Sequence, residues 1–342
     1  MCITYFWIFL FFLVSHSLFS FLPLWSSLGE EWLKKDGCGN LRSRMIMKDF
    51  KEIRHRIEYV FLMGILLWVW MVSLKTALLA ADILGFFVFS VLRIRRLVVM
   101  DNLKQAFPEK SQKELLGIAR RTYQNFAKMI FEYMRFPIMK REDVLSLFSV
   151  KGIEHIDWAL KQGKGGVLIA GHYGNWELMG AYLAQLGYPT YFLVGEQHNK
   201  LVDHMMNHYR IIMGIRIIHM GVAVRGVIKA LRHNEFVALL SDQNGGPEGV
   251  FVDFFGRPAS TPQGPAIFAL KTGAPVLFSY PVRFPHGKQR IYCECLHFDH
   301  LHGVSPENVH EVTQAYTRLL EKAIRAHPDH WFWMHRRWKF SP

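Results

Sequence analysis

From residue 148 onward the chain repeats one pattern: a short run of β-branched and aromatic residues, a turn, then a helical stretch. The runs are FSVKG (148–152), GGVLIAG (165–171), TYFLVG (190–195), IRIIHM (215–220), FVALLSD (236–242), APVLFSYPVRF (274–284) and QRIYCECLHF (289–298). Helices are predicted between and after them, at 153–162, 175–186, 199–213, 222–233, 262–272 and 305–326. Strands separated by helices pair through crossovers, so the expectation is an α/β fold with a mixed, largely parallel sheet flanked by helices. The last two runs are expected to pair antiparallel at a sheet edge. Ahead of this body, residues 98–136 carry helical patterning that breaks at Pro108. Ser111 with Glu114 three positions on forms a capping box for a second helix, whose core face is Leu115, Ile118, Tyr123, Phe126, Met129 and Ile130.

The front of the chain is of another kind. Hydrophobic residues make up 51% of the 342, a little above the soluble norm, and the excess lies before residue 93. Residues 3–25 are long and apolar enough to cross a bilayer, and they lack the basic flank and small-residue cleavage site of a signal peptide. Met45 and Met47 stand just before KDFKEIRHRIEYV, so residues 1–44 also read as lying upstream of the start the cell uses. The second apolar stretch, Tyr59 to Leu92, contains Lys75 and Asp82, each costly at the centre of a bilayer. Basic residues flank both its ends, Arg54 and Arg56 before it and RIRR after it, which favours one side of the membrane for both. An embedded hairpin or interfacial helix pair satisfies that; one tilted helix with Lys75 snorkelling remains the alternative. The division expected is an extension (1–44), a membrane-associated helical segment (45–97) and a globular domain (98–342).

Lys and Arg number 41 against 28 Asp and Glu, a net charge of +13, which suits anionic lipid, an acidic carrier protein or nucleic acid. The apolar front favours the lipid surface. Four cysteines, Cys2, Cys38, Cys293 and Cys295, form neither a zinc pattern nor a disulfide framework, pointing to a reducing, cytosol-facing body.

The chemistry concentrates in GGVLIAGHYGNWELMG (165–180). Reactive groups of open α/β sheets gather where strands end and helices begin, and His172 stands at such a point. Glu177, five residues on, would lie about 140° away on one continuous helix. With a turn between them the carboxylate can fold back, fix the imidazole tautomer and stabilise the imidazolium, giving a general base and its orienter. Read alone, the pair is equally a core histidine with a dipole-stabilised glutamate. Asp242 and Gln243, in SDQNGG, occupy another strand end and can reach the same cleft for a network or acceptor-binding role. Thr261 and Gly264 precede a helix whose N-terminus suits an anion, and Arg257 and Lys271 suit phosphates. In HWFWMHRRWKF the mixture of tryptophans and basic residues reads as a wall at the lipid headgroups, or as packing against the sheet.

GHYGNWELMG resembles the His-x4-Asp/Glu signature of the bacterial late acyltransferases of lipid A biosynthesis. NLKQAFPEKSQKE with EYMR, LLSDQNGGPEGVFVDFFGRPASTPQGPAIFALKTGAPV, and HPDHWFWMHRRWK resemble that family's further blocks, in order, from about Ile53 to Lys339. The resemblance implies a fold like the glycerol-phosphate acyltransferases and transfer of a fatty acyl chain from acyl carrier protein to a hydroxyl of a lipid precursor. It places the enzyme at the cytoplasmic face of the inner membrane, with no metal, cofactor or nucleic acid. His172 and Glu177 are then the catalytic pair, with Asn175, Arg225, Asp242, Gln243, Arg257 and Thr261 for substrate binding. Arg225 matches a family arginine and is the candidate for the oxyanion or a phosphate. No G-x-S-x-G elbow is present and no cysteine lies near His172 in sequence, so direct transfer is expected over an acyl-enzyme.

Three rival readings stay open at this level. An acyltransferase for another glycolipid, such as a phosphatidylinositol mannoside, or for a lysophospholipid shares the motifs. A metal-dependent hydrolase would use some of the 17 histidines, though no H-E-x-x-H is present. A non-catalytic membrane or nucleic-acid binding protein would be indifferent to His172.

Overall fold

The computed structural model describes residues 41–340, with side chains from residue 52 onward. The expected extension, residues 1–44, lies almost wholly outside the described residues, and so does the first apolar segment, 3–25. The chain divides into two compact units, one holding the residues up to Met71 with Glu196–Met206, the other Val72–Gly195 with Asn207 onward. The first unit contains helix α1 (Leu41–Met71). Within it the Asn199 amide donates to the His55 carbonyl at 3.0 Å and to the Glu58 carboxylate at 3.1 Å, and the rings of His55 and His198 meet edge to face.

The second unit opens with α2 (Leu74–Phe87), capped by Ser73 and running on as a π turn through Leu92. Leu74–Leu92 is long and apolar enough to cross a membrane. Its small residues Ala77, Ala81 and Gly85 are buried, and a Cβ on Gly85 would stand 2.6 Å from the Gln124 Cα. That close approach is to α4 (Gln112–Met134), which follows the short α3 (Arg96–Ala106). Asp82, a costly residue in an apolar run, is paired with Lys128 of α4 at 2.8 Å. The Ser111–Glu114 capping box forms as expected, and every residue predicted for the α4 core face is buried.

Helix α5 (Arg141–Leu147), which the sequence pattern does not announce, leads into β1 (Phe148–Lys151). The alternation then runs α6 (Ile153–Lys161), β2 (Gly166–Ala170), α7 (Trp176–Gln185), β3 (Thr190–Val194), α8 (Lys200–Ile212), β4 (Arg216–His219), α9 (Ala223–Arg232) and β5 (Phe236–Leu240). The hairpin β6 (Val250–Asp253) and β7 (Pro258–Thr261), α10 (Gly264–Thr272), β8 (Val276–Arg283), β9 (Gln289–Leu296) and α11 (Pro306–Ala326) complete it. Seven strands form one sheet in the order β1-β9-β8-β2-β5-β3-β4. From β8 to β4 neighbouring strands are parallel, as the crossover helices demand. β8 and β9 are antiparallel, but β9 is not the edge: β1 pairs beyond it, parallel to β9. Every residue of the central strand β2 is buried, which is why GVLIA reads as a continuous apolar run instead of an alternating one.

The hairpin falls in GVFVDFFGRPAST (249–261). Phe255 and Gly256 both have positive φ, 60° and 71°, and the Phe254 N–H reaches the Arg257 carbonyl at 2.9 Å, the geometry of a two-residue primed turn. Phe at a left-handed position carries no sequence signal for such a turn. Here it is held by Glu321, which accepts the Phe255 N–H at 2.6 Å.

Candidate active site

The site follows from strand register. β2 and β5 pair in parallel with Ala170 opposite Leu240, and the Ser241 N–H extends the ladder to the Ala170 carbonyl. Two residues further along each chain stand His172 and Asp242, brought side by side because adjacent strands lie about 4.8 Å apart. Gly171 permits the approach: a Cβ there would sit 3.3 Å from the Asp242 side chain and 3.1 Å from Leu320.

Asp242 and not Glu177 is the carboxylate at His172 Nδ1. Asp242 Oδ1 lies 2.7 Å from Nδ1, while Oδ2 accepts the His172 main-chain N–H at 2.9 Å and the Trp331 indole N–H at 2.7 Å. Such a partner fixes the tautomer with the proton on Nδ1 and makes Nε2 the basic nitrogen. The His172 side chain keeps 12% exposure against 2% for Asp242, so a substrate can meet the imidazole but not the carboxylate. Edge-on to the Trp176 ring at 5.1 Å, the imidazole is held in plane. Burial by itself would push the Asp242 carboxyl up; the attraction of His172 and the hydrogen bonds from His172 and Trp331 outweigh it and hold the group below the usual carboxylate value.

Glu177 sits in the first turn of α7, as expected, but faces α8. Arg210 grips it with both arms, Nε to Oε2 at 3.0 Å and the second nitrogen to Oε1 at 2.6 Å, with both side chains buried. A planar guanidinium matches a carboxylate bidentately, an arrangement that local spacing within 165–180 cannot reveal. Asn175 caps α7: its Oδ1 accepts the Leu178 N–H at 2.9 Å and its Nδ2 donates to Glu132 at 2.6 Å. At 1% exposure it is a structural cap and offers no face to a substrate. Glu132 is in turn paired with Arg283 of β8, so α4, β8 and the His172 turn are tied at one buried point.

Of the remaining candidates, Gln243 stands beside His172. The Gln243 amide nitrogen lies 3.4 Å from His172 Nδ1, and since Nδ1 already gives its proton to Asp242 this is a packing contact. Thr261 is buried and accepts from the Arg337 guanidinium at 2.5 Å. Arg225, in the first turn of α9, and Arg257, in the hairpin turn, are exposed. Of the two readings of the C-terminal segment, packing is the one that Trp331 and Trp333 follow, while Arg336 and Lys339 stay exposed. Trp331 and Trp333 are 2% and 0% exposed, so these two form no headgroup wall; Tyr173 and Trp331 make an antiparallel bridge beside the His172 turn. Behind it Arg337 and His335 are buried. Burial pushes the Arg337 guanidinium down to about 10 and the His335 imidazole down to about 4.

With this geometry in place, comparison with known proteins decides the family. The family model described as bacterial lipid A biosynthesis acyltransferase matches residues 46–340. The chain belongs to that family. Among relatives, it is 28% identical to a phosphatidylinositol mannoside acyltransferase of Mycobacterium tuberculosis over 63% of this chain and 68% of that one. It is 27% identical to the lipid A biosynthesis lauroyltransferase of Escherichia coli over 76% of this chain and 84% of that one. With the palmitoleoyltransferase of the same organism it shares 23% over 86% and 95%. For a family acyltransferase, a histidine with a buried aspartate behind it at a strand end is the arrangement that a proton-abstracting base needs.

Proposed function

We propose that this family member moves a fatty acyl chain from an acyl carrier protein thioester to a hydroxyl of a lipid A precursor, with His172 as general base. The observation that carries the reading is the 2.7 Å contact of His172 Nδ1 with buried Asp242. His172 Nε2 takes the acceptor hydroxyl's proton as that oxygen attacks the thioester carbonyl, and Asp242 stabilises the imidazolium. The tetrahedral intermediate collapses, the C–S bond breaks, and the proton passes from His172 to the departing thiolate. Arg225 remains the candidate for the oxyanion or a lipid phosphate, with Arg257 as a further phosphate partner. Direct transfer is supported by the thiols of β9: burial pushes Cys293 up to about 12 and Cys295 up to about 11, which leaves neither nucleophilic. Glu177, paired with Arg210, serves to hold the base of α7 to α8.

The carrier protein reading is supported by the +13 charge, complementary to an acidic partner. A position at the cytoplasmic face of the inner membrane is supported by the apolar Leu74–Leu92 helix followed at once by Arg93, Arg95 and Arg96. A second acceptor, a phosphatidylinositol mannoside, is favoured by the relative of that name.

The test is mass spectrometry of acceptor lipids after incubation with acyl carrier protein thioesters, with lipid A precursor and phosphatidylinositol mannoside in separate arms. Wild type adds one acyl chain in one arm; His172→Ala and Asp242→Asn add none. If both variants still add the chain, the mechanism is wrong. Acylation confined to the mannoside arm replaces the acceptor and keeps the base.

A further inference from the structure

The C-terminal segment 330–332 lies alongside the turn that carries His172 and touches both members of the pair. The Gly174 N–H donates to the His330 carbonyl at 2.8 Å and the Phe332 N–H to the His172 carbonyl at 2.9 Å, on either side of the Tyr173–Trp331 bridge. Between those two rungs the Trp331 indole N–H reaches Asp242 Oδ2 at 2.7 Å. A carboxylate can rotate about its Cβ–Cγ bond, and an imidazole is oriented only as well as the oxygen it donates to. Oδ2 has two donors, the indole and the His172 main chain, so Oδ1 is the oxygen left facing Nδ1.

We propose that Trp331 is the positioning residue of the His172–Asp242 pair, its indole N–H locking the carboxylate rotamer that presents Oδ1 to the imidazole. This rests on the pair being the base of the acyl transfer. At 2% exposure Trp331 offers no face to a substrate and acts through Asp242. The segment also explains why a stretch at the far end of the chain, 89 residues beyond Asp242, is built into the site. Trp333, two residues on, supplies an internal control. It too is a buried indole with a spent N–H, at 2.6 Å, but its acceptor is the Pro328 carbonyl.

The experiment compares Trp331→Phe with Trp333→Phe in the full chain, measuring kcat, KM and the pH dependence of kcat, beside melting temperature. Both lose a buried indole hydrogen bond, so both lower the melting temperature. Only Trp331→Phe is expected to lower kcat, by roughly 10- to 100-fold at unchanged KM, as for a misplaced catalytic group. It also moves the acid limb of the kcat profile up, by about one unit or less, because a carboxylate that has lost a donor makes the coupled pair more basic. The charged and titratable groups facing Asp242 are His172, His335, Arg337 and Tyr316, all unchanged in both variants. Equal kcat and an unmoved acid limb in Trp331→Phe overturn the proposal. If that variant does not fold, benzothienylalanine at 331, an isostere without the N–H, reads the same quantities. His172→Ala and Asp242→Asn measured in parallel separate the outcomes. Activity retained in those two sinks the base itself; activity lost there but kept without the indole N–H sinks only the role of Trp331.

Discussion

Asp242 and Glu177 are both buried carboxylates near the start of α7, and they do different work because of what each one faces. Asp242 faces an imidazole and two N–H donors; Glu177 faces a guanidinium that matches it arm for arm. Asp242→Asn is expected to lower kcat by roughly 10³- to 10⁴-fold, as when a base loses its correct tautomer, with a fall in melting temperature from the lost carboxylate. Glu177→Ala removes both carboxylate contacts of the buried Arg210, 6% exposed, and is expected to cost about 3–5 kcal/mol in chemical denaturation. Glu177→Leu with Arg210→Met together recover most of that, since a well-packed apolar pair is often as stable as the buried ions it replaces. If Glu177→Ala instead abolishes turnover in a protein of wild-type stability, Glu177 has a part in the chemistry.

At the level of elements, the residue types at two helix starts fit their places, but the long-range contact that one of them makes has no local signal. Ser111 and Asn175 occupy N-caps where their residue types belong. The second hydrogen bond of Asn175, to Glu132 at 2.6 Å, ties α7 to α4 across the unit and has no local signature. Asn175→Ala is expected to cost about 1–3 kcal/mol, a lost cap plus a carboxylate short of one donor, read as a fall in melting temperature. Between α2 and α4, Gly85→Ala places a Cβ 2.6 Å from a backbone atom, where no side chain can yield. Overpacking of this kind typically costs about 1–3 kcal/mol, and a circular-dichroism melt unchanged by Gly85→Ala would show that the two helices do not pack this way.

At the scale of the whole molecule, the buried C-terminal segment makes stability depend on pH. His335 is held neutral, down to about 4, by burial, while its unfolded counterpart protonates near 6.5. Between those values the unfolded chain binds the extra proton, so stability is full above about pH 6.5 and falls as the pH drops towards 4, by at most ~3 kcal/mol for this group. Below that, Asp329, brought down to about 2 by His330 and Arg121 against the effect of burial, and Asp242 give up their contributions in turn. Urea midpoints between pH 7 and 4.5 are expected to fall in wild type and to flatten in His335→Leu. What the sequence by itself determined was the alternation of the seven main-sheet strands with their helices, the Ser111–Glu114 capping box, the strand end that carries His172, and the family, because periodicity and motif are properties of neighbouring residues. Only the tertiary structure decided which carboxylate stands behind the histidine. Asp242 is seventy residues away and arrives there through the parallel register of β2 and β5, with Trp331 brought in beside it by the C-terminal segment. Glu177, five residues off and the natural local choice, is claimed by Arg210 from a helix that no short-range pattern places beside it.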